Sequence, residues 1–140
     1  MIYGFASRLG DISFDWESRR CSRLFLEGCG FDDGENPVSV WLSSYFEGHA
    51  LPLPPIAPPK TPFQGRLRKA LLEIPFGETR TYGELARTLH TAPRALGQAL
   101  GANPLPLLIP CHRVVGANGI GGFSCGIEWK QALLEFERNS

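Results

Sequence analysis

The chain has 140 residues, with fourteen Lys/Arg against fourteen Asp/Glu and 43% hydrophobic residues. That length buries a real core, as one domain or one domain with a small annex, and the composition argues against disorder. With no run of eighteen apolar residues and no basic segment leading into an apolar one at the N-terminus, neither a membrane span nor a signal peptide is supported, so a soluble cytoplasmic protein is expected.

The neutral balance conceals an asymmetry. Residues 1–59 hold four Arg against eight Asp/Glu, a net of −4, whereas residues 60–140 hold ten Lys/Arg against six Glu, a net of +4. The sign of the second half suits a nucleic acid, although a solvated surface of this size drifts that far by itself. Four cysteines, at 21, 29, 111 and 125, are too scattered for a disulfide framework and show no Cys-x2-Cys zinc spacing, so no metal is expected. Cys21 and Cys29 stay open as a pair; a free Cys111 fits a reducing compartment.

In chain order, short runs at 2–6, 11–17 and 21–26 alternate or favour strand residues and predict a small antiparallel sheet. Asn36-Pro37 pairs a cap with a first-turn proline and opens a helix carrying Val38, Trp41, Leu42, Tyr45 and Phe46. Six of the twelve prolines lie between Leu51 and Pro62, which makes that stretch an extended, rigid connector. The expected division is therefore a domain over 1–50, a connector over 51–61 and a second domain over 62–140.

Thr61-Pro62 repeats the start signal for a helix with Phe63, Leu67, Ala70 and Leu71 on one side, followed by a turn over 74–80. Thr81-Tyr82-Gly83-Glu84 is a capping box, and its helix carries Leu85, Ala86 and Leu89. A break at His90-Thr91-Ala92-Pro93 leads into a second short helix over 94–100, a helix-turn-helix arrangement. That second helix has Arg94 at its start and small residues at Ala95, Gly97 and Ala99. The small residues suit close approach to a partner's backbone or tight helix packing. Facing DNA, such a helix offers few readers of base edges, whereas Arg94 is long enough to enter the duplex. His49 and His90 read as surface residues.

Prolines at 104, 106 and 110 exclude helix before Ile109-Pro110-Cys111-His112-Arg113-Val114-Val115, so Cys111 sits on a stiff irregular segment. A stiff mount suits a nucleophile, although a thiol in an apolar run is also the pattern of a core cysteine. The last helix begins near Ile127 and sets Leu133, Leu134 and Glu137 on one side, away from Glu128 and Glu135. A carboxylate on an apolar face needs a partner, and His112 supplies one, giving a relay of Cys111, His112 and Glu137. A glutamate so near the C-terminus is equally compatible with a frayed, solvated end.

With these residues together, the chain resembles the 6-O-alkylguanine-DNA alkyltransferases. The likeness covers about residues 62–137: the helix-turn-helix, Asn103 through Val115 around Pro-Cys-His-Arg, the Gly119-Ile-Gly-Gly-Phe-Ser124 loop, and the closing helix to Phe136-Glu137. It implies an α+β protein, with a small N-terminal RNase H-like sheet domain and a mainly helical, winged helix-turn-helix-like catalytic and DNA-binding domain. The implied activity is irreversible transfer of a methyl or larger alkyl group from 6-O-alkylguanine, with 4-O-alkylthymine a second candidate, to Cys111. The damaged base is flipped out from the minor groove of double-stranded DNA.

The resemblance makes Cys111 the nucleophile, has His112 act on it through a water, and has Glu137 orient His112. Tyr82 protonates the departing guanine, and Arg94 replaces the flipped base, with Ala95, Gly97, Tyr82 and Arg113 also toward DNA. Val114, Phe123 and Ser124 line the guanine pocket, and Asn103 braces the helix-turn-helix against the active-site segment. No cofactor, no membrane and a monomer are implied, with nucleoid association, or a nuclear location in a eukaryote. Cys125 departs from the glycine common in the family, and the N-terminal part is short. Two other readings stay open: a recognition module that binds alkylated DNA without transfer, and a helix-turn-helix regulator. A cysteine hydrolase fits poorly, because Cys and His are adjacent in sequence.

Overall fold

The computed structural model describes residues 1–140 except Cys29 and Ser124. It divides into two compact units, Met1–Ala57 and Pro58–Ser140. In the first, strands β1 (Ile2–Ser7), β2 (Gly10–Glu17), β3 (Arg20–Phe25) and β4 (Phe31–Asp32) form one sheet in the order β3-β2-β1-β4. The β2-β3 hairpin turns on Ser18 and Arg19, both left-handed at φ 52° and 64°, the handedness that matches strand twist in a two-residue turn.

The sheet departs from the antiparallel expectation at β4, which pairs parallel with β1. A strand of two residues carries no periodic signal, so this edge was not legible in the sequence. Helix α1 (Pro37–Phe46) starts as its Asn-Pro signal predicts, with Asn36 Oδ1 accepting from the Val38 amide at 2.9 Å. It packs on the sheet through Phe46, whose ring stacks on Phe5 at 6.3 Å, and with Ile12, Phe14, Leu24, Val38 and Leu42 it forms the core. The proline-rich stretch runs along the β3 edge, where the Cys21 amide donates to Pro55 O at 2.9 Å and the Ala57 amide to Cys21 O at 2.8 Å. Prolines suit that edge, because they ask for no ladder donor.

The second unit holds α2 (Pro62–Leu72), β5 (Arg80–Thr81), α3 (Tyr82–Thr88), α4 (Pro93–Gly101), a 3-10 turn (Cys111–Arg113), β6 (Val114–Val115) and α5 (Ile127–Arg138). Leu67 and Leu71 of α2, Leu85 of α3, Leu96 and Leu100 of α4, and Leu133 and Leu134 of α5 are buried around the run Leu105 to Ile109. α3 and α4 pack together as a helix-turn-helix, and β5 pairs parallel with β6. That pairing matters for the chemistry: it joins the start of α3, where Tyr82 sits, to the residue that follows the Cys-His-Arg turn.

No helix among the described residues is long and apolar enough to cross a membrane.

Candidate active site

Cys111 sits where two tight reversals end. The Leu108 amide donates to Pro106 O at 2.9 Å around Leu107, a non-glycine residue at φ 75°, and the Cys111 amide donates to Ile109 O at 2.7 Å around Pro110. Both are three-residue γ-turns, and the left-handed one is the rare, strained form. Asn103 ties the segment down: its amide donates to Ile109 O at 3.1 Å, while its oxygen accepts from the Leu105 amide at 3.0 Å. The thiol that results is 7% exposed. Burial pushes its pKa up to about 11, against the opposing pull of a hydrogen bond from Asn103 and the charge of Lys130. Unaided, this sulfur is a thiol at neutral pH, so it needs a base to become a nucleophile.

The base is next to it. His112 is fully buried, and its Nε2 lies 2.7 Å from Glu137 Oε2. Donation from Nε2 to a carboxylate leaves Nδ1 as the acceptor, and Nδ1 has no partner among the described residues. Burial lowers the imidazole pKa, Glu137 pulls it back up, and Arg113 and Lys130 lower it further, so the ring is neutral. Glu137 is buried as well, at 3% exposure. Burial by itself would raise its pKa, but hydrogen bonds from His112 and Arg113 outweigh that and hold it down at about 2.

Cys111 opens onto a cavity of about 520 Å³ lined by Tyr82, Pro93, Gly97, Leu100, Gly101, Gly122 and Phe123. Tyr82 is the first residue of α3, fixed by the capping box: the Glu84 amide donates to Thr81 Oγ1 at 3.1 Å and the Thr81 amide donates to Glu84 Oε1 at 3.3 Å. Its hydroxyl donates to Gly122 O at 3.4 Å. Beneath it lies Lys130, 0% exposed, whose Nζ donates to Val114 O at 2.7 Å, Gly122 O at 2.9 Å and the Tyr82 hydroxyl at 3.4 Å. A buried ammonium with three acceptors is satisfied, and its charge faces both the phenol and the thiol.

Residues 62–139 match the family model of the DNA-binding domain of 6-O-methylguanine DNA methyltransferase. A curated relative from Saccharolobus islandicus, a methylated-DNA–protein-cysteine methyltransferase, is 48% identical over 98% of this chain and 95% of its own. The chain belongs to the 6-O-methylguanine DNA methyltransferase family. Solved structures agree. Mycobacterium tuberculosis OGT in complex with DNA superposes with a TM-score of 0.85 at 34% identity, covering 99% of this chain and 93% of that one. The methyltransferase of Pyrococcus kodakaraensis gives 0.69 at 30% identity, covering 98% and 99%. Both likenesses span the α+β fold from end to end.

Against the expectations for a 6-O-methylguanine DNA methyltransferase, the structure brings Cys111, His112 and Glu137 into one buried cluster and sets Tyr82 and Phe123 on the cavity wall. Arg94, Ala95 and Gly97 lie exposed on one side of α4, whereas Ala99 is buried with Leu96 and Leu100, so the small-residue stripe is narrower than its spacing implied. Val114 is buried and its carbonyl accepts from Lys130. Ser124 and Cys29, whose pairing with Cys21 the sequence left open, fall outside the described residues; Cys21 itself is a free buried thiol whose pKa burial pushes up to about 12.

The expectation for Arg113 is corrected. Its guanidinium turns inward: Nε donates to Glu137 Oε1 at 2.8 Å, Nη2 to Glu137 Oε2 at 3.0 Å and Nη1 to Ile74 O at 2.8 Å. It also lies over the Phe76 ring at 5.7 Å, and its side chain is 11% exposed. A guanidinium that gives three hydrogen bonds inside the fold, two of them to a buried carboxylate, is turned away from the surface where a phosphate would meet it.

Sequence reasoning missed Lys130. The signal was present, because Lys130, Leu133, Leu134 and Glu137 occupy successive turns of one face of α5, and a lysine on a core stripe asks the same question as a glutamate there.

Proposed function

We propose that this chain repairs alkylated DNA by direct reversal, moving the alkyl group of a 6-O-alkylguanine irreversibly to Cys111. The observation that carries this reading is a buried thiol at the wall of an open cavity large enough to admit a base, beside a neutral His112 held by Glu137, in a chain of this family. The Cys111 proton passes to His112 Nδ1, by way of a water in the family's manner, and the imidazole shares its charge with Glu137. Sγ then forms a bond to the alkyl carbon as the bond from that carbon to the guanine oxygen breaks. The electron pair moves into the ring, and Tyr82 supplies the proton that leaves guanine neutral. Lys130, 3.4 Å from the phenol oxygen, stabilises the tyrosinate left behind. The thioether that forms has no leaving path, so each molecule acts once.

Flipping a base costs a few kcal/mol, least for a weakened pair, and the cavity beside α4 is where the extruded base would sit. The exposed face of α4, with Arg94, Ala95 and Gly97, fits entry into the minor groove of double-stranded DNA, Arg94 filling the gap in the stack. The expected monomer, nucleoid location and division at the proline-rich connector belong to this same reading. Asn103, bonded to the γ-turn segment just after α4, is the link between the DNA-facing helix and the thiol.

The test is mass spectrometry of the intact protein and its peptides after incubation with an oligonucleotide holding one 6-O-methylguanine. One methyl group gained on the Cys111 peptide is the expected result, and Cys111→Ala should bind the same DNA while gaining none. Selective binding by the unaltered protein with no gain would point to a recognition-only module.

A further inference from the structure

Glu137 accepts four hydrogen bonds: from His112 Nε2 at 2.7 Å, Arg113 Nε at 2.8 Å, Arg113 Nη2 at 3.0 Å and the Gly77 amide at 3.2 Å. Two of these come from one guanidinium, one to each carboxylate oxygen. Simple orientation of an imidazole needs one hydrogen bond. A lone buried carboxylate against a buried imidazole also pulls a second proton onto the ring, because the ion pair compensates a charge that burial leaves otherwise unmatched. A ring so charged carries hydrogen on Nδ1 and accepts nothing there. The reaction above requires the opposite state, and a fork-shaped cation bonded to both oxygens of the carboxylate provides it.

We propose that Arg113 is a positioning residue of the transfer reaction: its two hydrogen bonds to Glu137 let the carboxylate orient His112 through Nε2 while leaving Nδ1 unprotonated and free to take the thiol proton. The assignment rests on the reading of the reaction given above. The charged and titratable groups that face His112 are Glu137 and Lys130 from α5, and Arg113 and the Cys111 thiol from its own turn. Glu137 alone favours the charged ring, and Arg113 and Lys130 oppose it. Removing Arg113 deletes one of two opposing cations and two of the carboxylate's hydrogen bonds at once.

The experiment is nitrogen-15 NMR of His112 in the free protein, joined to single-turnover transfer rates across pH. In the unaltered protein the ring should be neutral with hydrogen on Nε2 at neutral pH and should titrate below the ordinary range of histidine. In Arg113→Gln the ring should titrate at least about one unit higher, and the acid limb of the transfer rate should move up in pH by the same amount, about tenfold in rate at a fixed pH on that limb. Arg113→Lys keeps a cation without the fork, so its ring titration and acid limb should fall between those of the unaltered protein and Arg113→Gln. A merely structural arginine would lower the rate equally at every pH and leave the ring's titration unmoved, which would overturn the proposal. Should Arg113→Gln not fold, the intact protein decides: a His112 charged at neutral pH sinks the assignment. Failure of the reaction itself reads out elsewhere, as a neutral His112 in a protein whose Cys111 gains no methyl group.

Discussion

At the scale of single residues, the active site is a set of buried charges whose costs cancel locally. Glu137 illustrates the size of the effect. Its pKa, held at about 2 against an ordinary 4.5, makes the folded state bind fewer protons than the unfolded one in between. The stability so gained, about 3 kcal/mol, is therefore complete above about pH 4.5 and is lost as pH falls toward 2. His112 acts in the same direction, since a lowered imidazole pKa costs stability as pH drops below its ordinary titration. We expect urea midpoints of the unaltered protein to fall steeply from about pH 6 to about pH 3, and Glu137→Gln to be less stable at pH 6 but less acid-sensitive. The same variant should transfer at least about tenfold more slowly, since an amide neither fixes the ring's tautomer nor balances the charge it acquires. Lys130→Met should strand two carbonyls and cost about 1–3 kcal/mol for each, with slowed transfer measured on whatever fraction folds.

At the scale of elements, two local devices set the position of Tyr82. One is the capping box, which the sequence announced and whose loss in Thr81→Ala should cost about 0.5–2 kcal/mol in thermal or denaturant unfolding. The other is Gly121. It adopts φ +78°, and a methyl group added there would lie 2.7 Å from the Tyr82 ring and hydroxyl. Gly121→Ala should therefore both strain the backbone and push the phenol from its place, slowing transfer by more than its stability loss of about 1 kcal/mol explains. Comparison of single-turnover rates with unfolding midpoints separates the two effects. The γ-turns before Cys111 show the same logic in the backbone, as the strain at Leu107 is held by packing of a fully buried loop.

At the scale of the whole molecule, charge is divided as the fold is divided, with the basic excess in Pro58–Ser140. Three charged residues of that unit, Arg113, Lys130 and Glu137, are spent inside it, so the field at its surface comes from the remaining lysines and arginines. DNA affinity should then fall log-linearly with salt at a slope of about 0.9 per phosphate contacted, and fluorescence anisotropy between low and moderate salt would reveal few contacts by a shallow slope. Much of this was legible in the chain. Helix starts at Asn36, Thr61 and Thr81 follow from side chains that bond their own backbone, and Pro-Cys-His-Arg with its flanking segments carries the family, because both are statements about neighbours in sequence. The stripe on α5 already set Glu137 on the core side. What it could not show is which partner each buried charge would find. Arg113 read as a residue turned toward DNA and is a clamp on Glu137; Lys130 went unread and lies under Tyr82; β4 was too short to announce itself and pairs parallel. Local hydrogen bonds and periodicity are fixed by spacing along the chain, whereas the pairing of the charges at 113 and 137 with each other, and of those at 113 and 130 with the polar groups of residues 74 and 82, depends on distances that exist only once the chain has folded.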